Sequence, residues 1–203
     1  RLRNVLAHYN ADVPHLFTAA GQEHLAGVPL NRSDRFIVEQ LRTELRFVQD
    51  ALRAVDRQLT QFAAAAPIAE REARAVLDTV PGVGPVTTEI LLSELGDVRR
   101  FRSQSAVVQY AGLAPGVRES AGRMKSLAIT KEGSRLLRYA MIELAWRLVI
   151  KTRRYGAVYE QLKRRCGVKK AIVAVARRIL CMLVSLLQKG QRYNLATEVS
   201  AGA

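Results

Sequence analysis

Cysteine is almost missing from this chain: Cys166 and Cys181 are the only two, and neither stands in a CxxC or other ligand spacing. That excludes a disulfide scaffold and a thiolate zinc site, and it reads as two packed thiols in a reducing, cytoplasmic setting. Histidine is nearly as scarce. His8, His15 and His24 have no Asp or Glu at metal spacing, so they read as loop histidines, and no metal site is expected on this chain. The start shows no signal peptide. The longest apolar run, Ala171–Leu187, is interrupted by Arg177 and Arg178 and reads as a buried helix, with no membrane partner expected.

Acidic residues are the most telling shortage. Residues 99–203 contain only Glu119, Glu132, Glu143, Glu160 and Glu198, with no close pair among them. Two-metal phosphoryl chemistry needs several convergent carboxylates, and this half of the chain does not have them.

What the second half does have is positive charge. Residues 1–98 carry 10 Lys+Arg against 13 Asp+Glu, a net of −3, whereas residues 99–203 carry 22 against 5, a net of +17. Solubilising surfaces mix both signs. A half-chain this one-sided fits a polyanion, and nucleic acid is the commonest. Nearly half of the 203 residues are hydrophobic, so the charge sits on a folded chain and not on a disordered tail.

Along the chain, Arg1–Tyr9 reads as the end of a helix broken at Asp12-Val13-Pro14. Val38, Leu41, Leu45, Val48, Leu52, Val55, Leu59 and Phe62 then recur in steps of three and four, flanked by charges. That is the a/d seam of a coiled-coil arm over 34–63, which predicts a homo-oligomer paired through it, with Ser33 as its cap. After the connector Ala63–Ile68, helices are expected at Glu72–Asp78, Val86–Leu95, Ser103–Tyr110, Ser134–Lys151, Ala157–Arg165 and Val168–Gln188. Gly112–Thr130 reads as a Gly-rich loop, with at most a short strand at Ser126–Thr130. The fold class is therefore mainly α: a coiled-coil arm, a compact helical domain over 70–190, and a frayed tail over 191–203.

Two segments point to chemistry. Val80-Pro81-Gly82-Val83-Gly84-Pro85 between two helices reads as a helix-hairpin-helix, whose glycines permit a tight turn. Its amides and the positive end of the second helix would hold a phosphate, which makes Gly82 and Gly84 candidate DNA-binding residues. A turn used only for packing is the competing reading. The second segment is Arg118-Glu119-Ser120-Ala121-Gly122-Arg123, followed by Lys131, Ser134, Arg135 and Arg138. A hydroxyl between guanidinium groups suits attack on a phosphodiester, because arginines hold the phosphate and balance developing charge. Spacing alone equally fits a phosphate-binding loop without chemistry. The aromatics Trp146, Tyr155 and Tyr159, interleaved with the late basic clusters, read as core.

In order, Val80-Pro81-Gly82-Val83-Gly84-Pro85, Glu94-Leu95-Gly96-Asp97 with Arg100-Phe101, Tyr110-Ala111-Gly112-Leu113-Ala114-Pro115, Ser120-Ala121-Gly122, Ile129-Thr130-Lys131-Glu132-Gly133-Ser134 and Leu137-Arg138 resemble the C-terminal part of the IS110-type insertion-sequence transposases and the related pilin-gene invertases. The late run Lys169–Arg177 fits as well. The resemblance implies a strand-cleaving recombinase with a serine nucleophile at Ser120, guided by an RNA that the element encodes. It also implies an N-terminal RuvC-like domain with acidic Mg2+ ligands. That domain is expected to be missing from a chain opening on Arg1, so residues 1–33 read as the end of its linker. The chain alone is then expected to bind DNA but to be inactive or nearly so. Ala121 and Ser126 stand where the family often has glycine, which makes Ser126 a rival nucleophile. The alternative function is a non-catalytic helix-hairpin-helix module for branched DNA, and a third is a coiled-coil assembly subunit.

Overall fold

In the computed structural model, residues 1–120 and 123–194 are described, with backbone only for 117–120 and 123–128. The chain divides into two compact units, Arg1–Phe62 and Ala63–Ala203.

The first unit is built on α1 (Leu2–His8), α2 (Ala19–Gly27) and the long α3 (Arg32–Ala65), which runs past the unit's boundary. Leu2, Leu6, Leu16, Leu25, Val28 and Leu30 close a small core onto Val38, with Leu41 packed against it. Residues 1–33 are thus more than a linker, because they bury apolar side chains of their own. The sequence placed the α3 cap at Ser33, but it lies two residues earlier: Asn31 Oδ1 accepts from the Asp34 amide at 2.8 Å. His8 and His24 lie in helices, and the His24 Nε2 is 3.0 Å from the Ala11 carbonyl, so the loop assignment fails for both.

The seam of α3 changes character along its length. Val38 is buried, yet Val48 and Leu52 are each 60% exposed, and Val55 and Phe62 are open to solvent as well. The first positions serve this unit's own core, and the later ones have no cover within it.

The second unit follows the sequence closely. Its helices are α4 (Ile68–Leu77), α5 (Pro85–Leu95), α6 (Gln104–Tyr110), α7 (Arg135–Lys151), α8 (Arg153–Cys166) and α9 (Val168–Lys189). Apolar residues on α7 recur at Leu137, Ala140, Met141, Leu144, Ala145 and Leu148, the spacing of one buried helical face. They meet Ile172, Val175, Ile179 and Leu183 of α9, with Tyr155 and Tyr159 of α8 closing the core. Length and composition would let α9 cross a membrane, but its apolar face is the centre of this core. Past Gly190 the chain does not fray at once, because the Gln191 amide bonds the Leu186 carbonyl and the Tyr193 amide bonds Thr79 Oγ1.

The largest departure from the sequence reading lies between α6 and α7. The expected loop is an antiparallel hairpin, β1 (Pro115–Ser120) with β2 (Arg123–Ile129), irregular between Pro115 and Val117. The Gly and Ser residues and the lack of clean alternation hid it.

Candidate nucleic-acid interface

The Pro81-Gly82 turn joins α4 to α5. The Val83 amide bonds the Val80 carbonyl at 3.1 Å, and Gly82 has φ +83°. Proline followed by a positive-φ glycine is the chemistry of a type II turn. Val80 and Leu77 are fully buried beneath it. A partly buried double ion pair holds the flanking helices: Arg74 Nε and Nη2 each lie 2.9 Å from the Glu89 carboxylate. Those hydrogen bonds raise the Arg74 pKa further above its already high value. From α7, Arg147 Nη1 donates to the Gly82 carbonyl at 3.3 Å.

The two glycines of this turn are not equivalent. A Cβ on Gly82 would sit 3.1 Å from the Arg147 Cβ, in a backbone region that side chains rarely adopt. Gly84 has φ −125° and ψ 175° with open space around it. The conformational requirement read from the sequence therefore holds for Gly82 and fails for Gly84. Gly84 is the N-cap of α5, where no side chain supplies a capping bond, and Val86 in the first turn is exposed.

The β1–β2 hairpin carries the serine segment. Ser120 ends β1 opposite Arg123, Arg118 pairs with Lys125, and Ser126 pairs with Val117 further from the tip. Ala121 and Gly122 lie outside the described residues, as do the side chains of Arg118, Ser120, Arg123 and Ser126. The backbone alone brings Ser120 and Arg123 together and sets Ser126 apart.

The foot of the hairpin is a latch. Arg138 Nη1 donates to the Ala111 carbonyl (3.2 Å) before β1 and to the Lys131 carbonyl (3.3 Å) after β2. The Lys131 and Thr130 amides bond the carbonyls of Gly112 and Ala114, and the Ser134 amide bonds that of Tyr110. Gly112 and Gly133 both have positive φ, and a Cβ on Gly133 would strike the Tyr110 carbonyl. Ser134 then caps α7 by accepting from the Leu137 amide at 3.0 Å. Arg138, proposed from sequence as a nucleic-acid ligand, thus spends a guanidinium nitrogen on holding the strands together. Lys131 and Arg135 are exposed beside it.

Arg100 is a second structural arginine. It lies 4.7 Å from the ring centres of both Phe101 and Tyr110, and its Nε donates to the Leu95 carbonyl. Tyr110 donates its hydroxyl to Glu94 O at 2.9 Å. The motif Glu94–Phe101 therefore anchors α6, and through it the hairpin. Sequence reasoning passed over Tyr139, which is 62% exposed on α7 among these cations. An aromatic at a position the core does not cover was the available signal.

Among the described residues, no group of three or more His, Cys, Asp or Glu is placed to hold a metal ion.

Residues 74–160 match the profile of the transposase IS116/IS110/IS902 family. The chain is 26% identical over 183 residues to the insertion element IS110 uncharacterized 43.6 kDa protein of Streptomyces coelicolor, covering 90% of this chain and 44% of that one. It is 28% identical over 155 residues to the pilin gene-inverting protein of Moraxella bovis, covering 74% and 47%. With the transposase for insertion sequence element IS1111A of Coxiella burnetii it shares 26% over 162 residues, covering 78% and 43%. The match to the IS116/IS110/IS902 transposase profile lies in the second unit, and the chain spans less than half the length of these curated relatives.

Proposed function

We propose that this chain supplies the DNA-binding and strand-cleaving part of a cytoplasmic, RNA-guided recombinase, with Ser120 as the nucleophile. The observation that carries the reading is the hairpin register, which sets Ser120 directly across from Arg123 at the strand ends, within the stretch that matches a transposase profile. In the step proposed, the Ser120 hydroxyl oxygen bonds to phosphorus as the bond to the departing deoxyribose oxygen breaks. The hydroxyl proton passes to a base, and the leaving oxygen takes one up. Attack of a second strand's hydroxyl on the phosphoserine reverses the sequence and joins the strands. Arg118 and Arg123 neighbour the serine along and across the ladder, and a guanidinium there would hold the phosphate and balance its developing charge.

The described residues do not fit Mg2+, so no step is routed through a metal on this chain. A composite site would take its carboxylates from elsewhere in a longer protein, and the chain alone is then inactive. The Pro81–Pro85 turn and the uncapped start of α5 would grip a phosphate irrespective of sequence. The cluster Lys163–Arg165 would hold a guide RNA encoded by the element. A second copy of the chain would cover Val48, Leu52, Val55 and Phe62 of α3, whose heptad spacing suits a paired helix.

The test is Ser120→Ala in the full-length protein. DNA and RNA binding are expected to stay near wild type, because one small oxygen is lost from a large electrostatic surface, while strand exchange and the covalent protein–DNA adduct disappear. Ser126→Ala is expected to be milder. Exchange that survives Ser120→Ala and fails in Ser126→Ala moves the nucleophile. Exchange that survives both leaves the second reading, a non-catalytic module gripping branched DNA through the Gly82 turn, which the turn's geometry favours.

A further inference from the structure

Beside the foot of the hairpin, α7 and the first turns of α9 enclose an open groove of about 540 Å³ that the strand-cleavage reading does not use. Its floor is apolar, from Ile142, Ile172 and Val173, and its wall carries Tyr139 and Trp146. Arg135, Tyr139, Ile142 and Trp146 follow each other at steps of three and four, so they share one face of α7. Besides the latched Arg138, the cations of its lining are Lys131, Arg135 and Lys169; among the described residues none of these three makes an ion pair and no carboxylate lines the groove. Trp146 packs edge-on against Tyr159 with ring centres 5.5 Å apart, yet it keeps 37% of its surface open. Among the described residues, Tyr139 touches no other ring and makes no hydrogen bond.

We infer that this groove binds single-stranded DNA, stacking an unpaired base on Tyr139 beside Trp146 while Lys131, Arg135 and Lys169 hold the flanking phosphates. An exposed ring, an apolar floor and unpaired cations on the rim are what a stacking platform requires, since every base has a π-face and every linkage a charge. Positive charge without carboxylates argues against a protein surface of mixed charge as the occupant. The start of α9, which has no side-chain cap, adds the positive end of a helix dipole at the same rim. The location fits too. Ile129 and Lys131 at the foot of β2 line the groove, so a strand engaged by the hairpin can continue into it. This last point rests on the strand-cleavage reading, and the groove itself does not.

Trp146 is the chain's only tryptophan, so its fluorescence reports on this groove alone. Titrating the 203-residue chain with oligothymidylate is expected to quench that emission, with salt-sensitive affinity, while a duplex of equal length quenches little. Tyr139→Ala is expected to weaken single-strand binding roughly five- to a hundred-fold. Tyr139→Phe is expected to bind as wild type, because the ring stacks and the hydroxyl does not. Tyr139 is exposed, so far-UV circular dichroism of the alanine variant should be unchanged. Equal quenching by duplex, or a Tyr139→Ala chain that binds and quenches like wild type, overturns the inference. Ser120→Ala leaves this titration untouched, so a misassigned nucleophile and a misassigned groove give different results.

Discussion

Gly82→Ala and Gly84→Ala differ by one position's backbone angle, and that difference fixes the expected outcome. At Gly82, φ is +83° and an added Cβ lies 3.1 Å from the Arg147 Cβ. The left-handed conformation costs an L-residue about 1–2 kcal/mol, and the tight contact adds a few tenths. Alanine also narrows the unfolded ensemble, which returns about 0.4–1 kcal/mol. The net is a loss of about 1 kcal/mol. At Gly84 the backbone is extended and nothing lies within 4 Å. The same entropic gain applies there, opposed only by alanine's poorer N-cap preference, so the net is near zero. Urea unfolding separates the two. With a slope of about 1–3 kcal/mol per molar, Gly82→Ala should lower the midpoint by roughly 0.3–1 M, and Gly84→Ala should hardly move it. If the turn grips DNA, duplex affinity should fall with Gly82→Ala in a chain that is still folded at low denaturant. Equal midpoints for the two variants, or a greater loss at Gly84, would refute the type II assignment and the Gly82 requirement with it.

The latch should be measurable at single amides. Arg138→Met removes two hydrogen bonds, so exchange at the Thr130 and Lys131 amides is expected to speed up about tenfold, and Arg138→Lys should do nearly as much because the lysine amine ends one bond short of Nη1, the atom that makes both bonds; unchanged exchange would show that the strands hold themselves. On α3, Leu52→Asp with Val55→Asp places charge in the open stretch of the seam and should lower the sedimenting mass while helicity persists. An unchanged mass would mean that no second copy covers this stripe.

The helices were legible because their signals are local. Apolar residues at three- and four-residue steps place α7 and α9 within a residue of where they lie, whereas α8 begins four residues before the expected Ala157. The Pro81-Gly82 turn was legible for the same reason. The β1–β2 hairpin was not, because its pairing is fixed from outside: Arg138 reaches back 27 residues to Ala111, and nothing near Ala111 in sequence announces it. Arg138 itself was read as a ligand because charge is visible in a sequence and its use is not. The difference between Gly82 and Gly84 was hidden in the same way, since φ is set by the assembled turn. Of the α3 seam, the period was legible, but not that Val38 and Leu41 would be drawn into the core beside α1 and α2.

The structural arginines bear on how the surface as a whole meets DNA. Arg100, Arg138 and Arg147 each direct a guanidinium at backbone carbonyls, of Leu95, of Ala111 and Lys131, and of Gly82. A carbonyl is a dipole without net charge, so these contacts fix the side chain and leave its positive charge intact. An arginine paired with a carboxylate, as Arg74 is with Glu89, contributes almost nothing to the distant field. Using carbonyls as partners therefore lets the same residues shape the fold and still raise the potential that draws in a polyanion. This explains how residues 99–203 can keep a net charge of +17 with so few acids. It also means that fold and field can be varied separately. Lysine at position 138 keeps the charge and loses the reach to the two carbonyls, whereas methionine loses both. DNA affinity that follows charge across that pair, while amide exchange follows the carbonyl contacts, is what two independent roles for one arginine require.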